Sequence, residues 1–582
     1  MKTFFKVVLG CLVALFVFVL FWVFLFSALV AGAEEKVTVA DNSVLYLKLN
    51  GPIKERVAEM PFDAGDLFGG PTPVSLVSTL ESIEYAKEDD NIKGIYIEPG
   101  LFSAGYGHMK EIRDALIDFK ESGKFIVAYS ELYTEGSYYL SSVADEIYLM
   151  PQGFFELNGL SSEVTFIKGT LEKLKVKPEI FRVGEYKGAV ETFLRDDLSA
   201  ENREQIESYL NSLYDTYLEE VSASRGIDVN ELRSISDSML VRDNKDAVDM
   251  KLLTAQAYSS EVQDILKERS GTDLDDDLEL IEVKDYRSSF KLKGDYGTRI
   301  AVIVADGDIV SGESTDNMVG SFTIAEELRK ARENDKVKAV VIRINSPGGS
   351  ALASDVMWNE IRLTAEEKPV IASMSNVAAS GGYYMAMAAD TIMAQPNTIT
   401  GSIGIFLLRF NAQGMLNEHL GVTTDVVNTG KYSDILTMSR PLSEGEREII
   451  QKQVDEGYRT FITKAAQGRD MNLDRMKALA GGRVWSGTEA LERGLVDKLG
   501  GLNDAIATAA SSAGLEDGDY SVRYYPEEKD FFEKIAEGFN SKAEQRIAEE
   551  QLGEYYQYLK LMNKLNSYQG MQARMPFEME IK

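Results

Sequence analysis

A serine among small residues is the first group in this sequence whose setting suits covalent chemistry. Ser380 lies in the run Ala379–Gly382, where a predicted strand gives way to a helix. A hydroxyl at such a turn is accessible, and the N–H groups and partial positive charge of a helix start stabilise a developing oxyanion. The pattern indicates a nucleophile for acyl transfer. A closely packed helix start gives the same pattern, so the motif needs support from elsewhere in the chain.

A glycine-rich loop follows an earlier predicted strand. It reads Asn-Ser-Pro-Gly-Gly-Ser over 345–350 and contains Gly348. Paired glycines let backbone N–H groups approach a ligand without interference from a Cβ atom. A tight turn after a strand would also use them.

The elements that must position these residues occur twice. Apolar, β-branched strands begin at Ser43, Asn91 and Lys124 in the first half, and at Arg299, Lys336 and Lys368 in the second. Tyr138 and Tyr383 are 245 positions apart, as are Pro151 and Pro396. Strands that alternate with helical stretches predict βαβ units and a largely parallel sheet. We therefore expect two equivalent α/β domains.

The two halves differ where chemistry is expected. Glu135 occupies the first-half position that corresponds to Ser380, and Pro99–Phe102 replaces the glycine-rich loop. The half that has the serine is thus also the half that keeps the glycine pair. A turn alone does not explain this association, which favours a catalytic role for Ser380 and a ligand-binding role for the loop.

A candidate base lies in the other half. Gly184–Lys187 aligns with Gly430–Ser433 on their shared Gly-x-Tyr, so Lys187 corresponds to Ser433. Each half has therefore lost one member of a Ser–Lys pair, which predicts a composite site with Ser380 as nucleophile and Lys187 as general base. A lysine base must be neutral, and burial among small, weakly polar neighbours lowers its pKa. Ser402 either orients the amine or is a turn serine, and the sequence supports both equally.

Composition excludes several classes of function. The 582 residues carry a formal net charge of −31, so we expect no nucleic-acid partner. The single cysteine, Cys11, and the two histidines, His108 and His419, leave little for a thiolate or imidazole metal site. We therefore predict neither a metal nor a cofactor.

The N-terminus predicts a membrane anchor. Residues 7–33 carry no charge, and a helix of that length spans about 40 Å, enough to cross a bilayer. Lysines precede the stretch and glutamates follow it, which places the rest of the chain outside the cytoplasm. The alternative is a cleaved signal peptide ending at Ala31–Ala33, but signal-peptide apolar regions are usually shorter. The predicted units are, by range, an anchor 1–33, a lysine-bearing domain 34–285, a serine-bearing domain 286–525 and a helical tail 526–582, with a polar linker at 271–297.

These motifs together resemble the signal peptide peptidase family in its long, two-repeat form. The resemblance covers nearly the whole chain and includes the loop at Asn345, the Ser380 motif, the Thr-Gly-Ser-Ile-Gly run at Thr400 and the segment ending at Lys187. It implies two tandem Clp-protease/crotonase-like domains and hydrolysis of leftover signal peptides. It also implies a bowl-shaped homotetramer at the bacterial inner membrane, with periplasmic catalytic domains. By the family pattern, Gly348 and Gly381 supply the oxyanion N–H groups.

Three other functions are compatible with parts of the pattern. One is a Clp-type protease that uses His419 as base, and another is a crotonase-like enzyme acting on acyl thioesters. The thioester function leaves Ser380 without a role. The third is a non-catalytic membrane scaffold. Lys187 and Ser380 meet either within one chain or between neighbouring chains, and we favour the junction within one chain because the linker is long enough to place the halves side by side.

Overall fold

We describe the protein from a computed structural model. It describes residues 37–57, 71–290, 297–315, 317–516, 518–527, 570–575 and 580–581, with residues 10, 13–18 and 21 near the N-terminus. The strands, in chain order, are β1 Ser43–Lys54, β2 Val74–Ser75, β3 Ile92–Ser103, β4 Phe125–Tyr133, β5 Glu146–Phe155, β6 Ser162–Glu163, β7 Lys177–Arg182, β8 Ala255–Gln256, β9 Leu280–Glu282, β10 Arg299–Asp306, β11 Asp308–Val310, β12 Met318–Gly320, β13 Val337–Ser346, β14 Gly348–Ser350, β15 Val370–Ala379, β16 Thr391–Ala394, β17 Ile399–Gly401, β18 Phe406–Asn411, β19 Val484–Ser486, β20 Lys498–Leu499, β21 Ser521–Tyr525, β22 Met571–Arg574 and β23 Glu580–Ile581.

Helices pack on the sheets of both halves. They are α1 Leu76–Glu88, α2 Tyr106–Lys120, α3 Glu135–Ser141, α4 Lys168–Lys173, α5 Glu191–Leu194, α6 Ala200–Arg225, α7 Val229–Asp237, α8 Asn244–Asp249, α9 Ser259–Ser270, α10 Val283–Ser289, α11 Ser321–Glu333, α12 Ala351–Ala365, α13 Gly381–Ala386, α14 Glu444–Gly468, α15 Leu473–Leu479, α16 Gly487–Arg493 and α17 Leu502–Ser512. A 3₁₀ turn, Gly188–Val190, follows Lys187, and a π-helical turn spans Met415–His419.

The predicted duplication is confirmed by the sheet topology. The first half has strand order β9-β1-β3-β4-β5-β8, and the second has β21-β10-β13-β15-β16-β20. Every neighbouring pair in these two series is parallel. Each strand of one series has its counterpart at the same place in the other. The predicted α/β class, with βαβ units and a mostly parallel sheet, is therefore correct.

A third sheet joins the two repeats and positions the site. Its order is β12-β11-β14-β22-β18-β7, so it contains one strand of the first repeat, β7, among strands of the second half. β7 runs antiparallel to β18, with Arg182 opposite Phe406 and Lys177 opposite Asn411. Apolar side chains from both repeats bury one another beside this pairing, including Val190 and Phe193 against Phe410. The chain that leaves β7 is thereby held against the second repeat.

A buried ionic cluster also connects the repeats. Arg343 on β13 has no exposed surface, and its guanidinium lies 2.9 Å from a Glu55 carboxylate oxygen and 2.6 Å from one of Glu111. Both glutamates belong to the first repeat. Because a buried charge without its partner is costly, this cluster fixes the relative placement of the two halves.

Three predictions concern segments outside the repeats. The stretch predicted as a linker, 271–297, instead contains β9 and α10, which pack on the first repeat with Tyr286 fully buried. The acidic residues of this stretch alternate with apolar residues, and apolar side chains among them pack in the core of the first repeat. Most of the predicted anchor over 7–33, and the helices predicted in the tail, lie outside the described residues. None of the helices in the described part of the chain combines the length and apolar character that a membrane span requires.

Candidate active site

Ser380 lies at the end of β15, immediately before α13. Its backbone has φ 55° and ψ −107°, a conformation that a residue with a side chain rarely adopts. Backbone strain of this kind costs about 1–3 kcal/mol and persists only where the surroundings hold it. Here the Ser380 N–H donates to the Gly401 carbonyl at 2.8 Å, and the Ser380 carbonyl accepts from Tyr384 N–H. The strained turn fixes the position of the hydroxyl.

Lys187 reaches this hydroxyl from the first repeat. Its Nζ lies 2.8 Å from Ser380 Oγ, and both side chains are fully buried. The lysine follows β7, so the antiparallel pairing of β7 with β18 carries it across to the second repeat. The structure thus brings the predicted nucleophile and the predicted base together within one chain. Their catalytic roles stay a prediction.

The surroundings of Lys187 favour an uncharged amine. Burial lowers the pKa of this amine well below its ordinary value. Nζ is 2.9 Å from the Ser402 carbonyl oxygen and 3.0 Å from Ser402 Oγ, and it lies near no carboxylate of the described residues. A neutral amine has two N–H groups and one lone pair. Two contacts with Ser402 occupy the donors and leave the lone pair for the Ser380 hydroxyl.

Of the two predicted roles of Ser402, orienting the amine or forming a turn, the structure fits the first. It is fully buried and, like Ser380, has a positive φ, of 50°. Its N–H donates to the Arg483 carbonyl at 2.7 Å, which anchors the turn that presents both Ser402 oxygens to the amine. This geometry fits a residue that orients Lys187.

The two predicted oxyanion glycines are adjacent in space. A Cβ atom added to Gly348, which has φ +101°, would lie 2.8 Å from the Gly381 nitrogen, so the two backbones approach too closely for a side chain. The Gly348 N–H donates to Ser346 Oγ at 3.2 Å. Gly381 opens helix α13 directly after Ser380. The glycine pair lies beside the nucleophile, as an oxyanion site requires.

The chain's own C-terminal segment lies in the cleft beside these groups. β22 inserts between β14 and β18 and runs antiparallel to both, with Ala573 opposite Gly349 and Gln572 opposite Phe406. The Ala573 carbonyl oxygen would lie 2.0 Å from a Cβ on Gly348 and 3.1 Å from one on Gly381. Beyond β22 a cavity of about 700 Å³ is lined in part by Ile309, Tyr384 and Met571. An extended peptide strand therefore fits between the two protein strands.

The corresponding position in the first repeat has no nucleophile. Glu135 is buried there, its carboxylate accepts from the N–H groups of Asn158 and Gly159 at 2.6 and 2.8 Å, and burial raises its pKa. Ser433, the counterpart of Lys187, is exposed. His419 is also exposed, and its Nε2 lies 3.2 Å from the Lys173 carbonyl oxygen. These placements do not favour His419 as the base for Ser380.

Sequence reasoning missed the residues that hold the Lys187 segment. Gln205 on α6 is fully buried and bridges the repeats, donating to the Tyr186 carbonyl and accepting from Val484 N–H, both at 3.0 Å. Gly482 packs so closely on Lys187 that a Cβ there would lie 2.7 Å from the lysine backbone. The repeat comparison held a signal for Gln205, because its counterpart in the second half is the apolar Ile449.

Metal-binding side chains were also considered within the described residues. Among the residues that the structure describes, no group of three or more His, Cys, Asp and Glu side chains is arranged to hold an ion.

Comparison with known proteins identifies the family. The model of peptidase family S49 matches residues 118–273 and 362–516, one segment in each repeat. The chain belongs to peptidase family S49, and it is a serine-type peptidase.

Curated relatives match over most of their own length. The chain is 39% identical over 485 residues to "Serine protease SPPA, chloroplastic" from Arabidopsis thaliana, covering 82% of this chain and 70% of that protein. It is 38% identical to "Protease 4" from Salmonella typhi, covering 82% and 78%, and 34% identical to "Protease 4" from Haemophilus influenzae, covering 86% and 84%. The predicted resemblance to the two-repeat form is confirmed.

Among solved structures, a point mutant of ClpP1 from Listeria monocytogenes matches 36% of this chain and 96% of its own, with a TM-score of 0.25 and 16% sequence identity.

Proposed function

We propose that this peptidase is a membrane-anchored endopeptidase that degrades cleaved signal peptides with a Ser380–Lys187 dyad. The observation that carries the proposal is the 2.8 Å contact between a strained serine and a fully buried lysine from the other repeat. A relative from Enterococcus faecium bears the name "Putative signal peptide peptidase SppA", which supports the substrate class.

In the proposed mechanism Lys187 acts first as base and then as acid. As Ser380 Oγ attacks the scissile carbonyl, its proton passes to the neutral Lys187 amine. The carbonyl oxygen becomes an oxyanion and accepts from the Gly381 N–H and from the Gly348 N–H, which exchanges Ser346 Oγ for the oxyanion. Lys187 returns the proton to the departing amine, and an acyl ester remains on Ser380. Water, deprotonated by the same amine, hydrolyses this ester and regenerates the serine.

Substrate is expected to bind as a strand in the place that β22 occupies. β14 and β18 supply backbone hydrogen-bonding partners on both sides, a mode of binding that depends on main-chain contacts rather than on a long recognition sequence. The apolar residues along the cavity of about 700 Å³ suit the hydrophobic core of a signal peptide. Such a substrate must be unfolded and extended, as a released signal peptide is once it leaves its preprotein.

The finer features of architecture and location belong to the same proposal. Each repeat is a Clp-protease/crotonase-like domain, which the shared strand order supports, and the second repeat also has the glycine-rich loop 345–350 after β13. The uncharged stretch 7–33 anchors the chain in the bacterial inner membrane, where lipid surrounds it and the repeats lie on the periplasmic side. Four chains form the assembly, and no cofactor takes part.

The proposal is tested with the full chain purified in mild detergent. A synthetic signal peptide and a folded protein of similar charge are incubated with the wild type and with Ser380→Ala, and the products are identified by mass spectrometry. We expect the wild type to cut the peptide within its apolar core and to leave the folded protein intact, while Ser380→Ala cleaves neither. Equal cleavage of the signal peptide by both chains would refute the proposal.

A further inference from the structure

The strand β22 shows how a peptide is seated in the catalytic cleft. It lies between β14 and β18, and its Ala573 is opposite Gly349 while its Arg574 is opposite Gly348. The Ala573 carbonyl oxygen would lie 2.0 Å from a Cβ on Gly348 and 3.1 Å from one on Gly381, so it faces both oxyanion glycines. The bond that this strand presents to the site is therefore the one between Ala573 and Arg574. Arg574 marks the position directly after that bond.

The chain is also held on the far side of that bond. The Met575 N–H donates to the Pro347 carbonyl at 2.7 Å. The Met575 side chain is buried in an apolar cluster that includes Leu213 of the first repeat and Val484 of the second. Because the strand is held by backbone pairing before the bond and by this anchor after it, the position of Arg574 along the cleft is fixed.

Asp308 receives the Arg574 side chain. The guanidinium Nη2 of Arg574 donates to Asp308 Oδ2 at 2.7 Å, and the exposed fractions of the two side chains are 13% and 38%. Asp308 is the first residue of β11, which pairs with β14 through Ile309 opposite Gly349, so the carboxylate lies beside the glycine-rich loop. A carboxylate at this place attracts a basic side chain and repels an acidic one.

The comparison of the two repeats gives independent support for a role in binding. The chain turns at Gly51 in the first repeat, with φ +110°, and at Gly307 in the second, with φ +119°. The residues that follow these glycines, Pro52 and Asp308, therefore occupy corresponding places. The carboxylate is present in the repeat that has the nucleophile and is replaced by proline in the repeat that lacks it, as happens with the glycine pair of the oxyanion loop.

We propose that Asp308 determines specificity by selecting peptides that carry a lysine or an arginine directly after the cleaved bond. This selection rests on the proposed peptidase function and names a substrate class within it, namely extended peptides with a basic residue, as in the positively charged region that begins a signal peptide. Asp308 contacts the side chain after the bond rather than the reacting atoms. It should therefore decide which bond is cut and leave the chemistry of Ser380 unaltered.

Competition between two peptides in one reaction tests this selection. One peptide has the sequence of residues 568–577, and the other has glutamine in place of its arginine. β22 of the full-length enzyme hinders both peptides equally, so the ratio of products gives the ratio of kcat/KM. We expect about a tenfold preference for arginine, equivalent to about 1.4 kcal/mol, and a ratio near one in Asp308→Asn. Asp355→Asn, which removes another carboxylate from the same cavity, should keep the wild-type ratio. No preference in the wild type, or an unchanged preference in Asp308→Asn, would overturn the proposal.

A binding measurement separates this selection from the peptidase function itself. The same two peptides, labelled with fluorescein, are titrated with the full-length Ser380→Ala chain, and their Kd values are obtained from fluorescence anisotropy. The arginine peptide should bind more tightly, and adding Asp308→Lys should reverse the order for a peptide with glutamate at that position. Circular dichroism verifies that each variant is folded. Discrimination in binding would support the selection even if the wild type left signal peptides intact. Hydrolysis of signal peptides without discrimination in binding would contradict the role of Asp308 alone.

Discussion

Lys187 and Ser380 are 193 positions apart in the sequence and 2.8 Å apart at their terminal atoms. Neither repeat contains both residues, so the pair exists only because β7 of the first repeat crosses to β18 of the second. Duplication followed by complementary loss explains this arrangement. The first repeat retains Lys187 and the second retains Ser380, and the site forms at the buried junction between the repeats.

The pH dependence of hydrolysis should report the state of Lys187. The base must be neutral, and burial lowers the pKa of its amine well below its ordinary value. Activity should therefore rise with pH as the amine deprotonates, and the rise should be complete below the ordinary lysine pKa of about 10.4. The measurement is kcat against pH for a chromogenic peptide. A profile in which kcat still climbs steeply at the ordinary lysine pKa would show that the pKa of the Lys187 amine is not lowered.

The same shift affects stability in a defined direction. At pH values between the pKa of Lys187 in the folded chain and its ordinary pKa, the Lys187 amine is protonated only in the unfolded chain. The free energy of unfolding should therefore increase with pH across that range. Below the folded pKa both states are protonated and this dependence ends. Lys187→Met, which keeps the apolar volume, should remove that component of the pH dependence in denaturant titrations.

Ser402 should act by positioning the amine. Ser402→Ala removes one of the two Ser402 oxygens that Nζ contacts, at a cost of about 1–1.5 kcal/mol, which corresponds to a loss in kcat of roughly tenfold. Because the hydrogen bond to Oγ is lost, the midpoint of the pH profile should also move. Ser402→Gly, which also lacks the hydroxyl but adopts the positive φ without strain, is the matched variant and should lose activity to the same extent. Full activity with an unchanged profile in Ser402→Ala would assign the residue to the turn alone.

Gly348 should be intolerant of any side chain. An alanine there would place its Cβ 2.8 Å from the Gly381 nitrogen and force the two oxyanion donors apart. We expect kcat to fall by about a hundredfold or more, as for the loss of an oxyanion donor. Gly123→Ala is the control, since Gly123 also has positive φ, +79°, but faces open space. If both substitutions reduced kcat equally, the effect would be one of backbone strain.

Removal of β22 should make the cleft easier to enter. Because β22 occupies the strand position between β14 and β18, a peptide must displace it, and a chain ending at Gln569 should show a lower KM. A chain ending at Met575 keeps β22 and serves as the control, with KM close to the wild type. An unchanged KM in the shorter chain would mean that β22 does not compete with substrate.

Much of this arrangement was predictable because duplication supplies an internal comparison. The repetition of the parallel strands, the exchange of Ser380 for Glu135 and the exchange of Lys187 for Ser433 all follow from aligning the two halves. β22 was not predictable, since Met571–Arg574 pairs with β14, more than 200 residues earlier, and has no counterpart among the described strands of the first repeat. For Gln205 the comparison of the halves shows only that a polar residue stands opposite the apolar Ile449, while its role depends on hydrogen bonds to two backbone groups from different repeats.

The linker was misjudged for a different reason. Its acidic run, Asp275–Asp277, suggested an exposed connection, whereas the residues that decide its structure are the few apolar ones that follow. Ile281 and Tyr286 pack on the first repeat, and β9 extends its sheet beside β1. Local composition does not show that a distant sheet edge is available to such a short strand.

The central claim is that Lys187 activates Ser380, and the most direct test is the rate at which a fluorophosphonate labels Ser380 in the full-length chain. Wild type, Lys187→Met and His419→Ala are compared at one pH, with Ser380→Ala as the blank, and the labelled peptide is identified by mass spectrometry. The account predicts labelling of Ser380 in the wild type and in His419→Ala at similar rates, and background labelling in folded Lys187→Met. Labelling of Lys187→Met at the wild-type rate, or its loss in folded His419→Ala, would contradict the dyad.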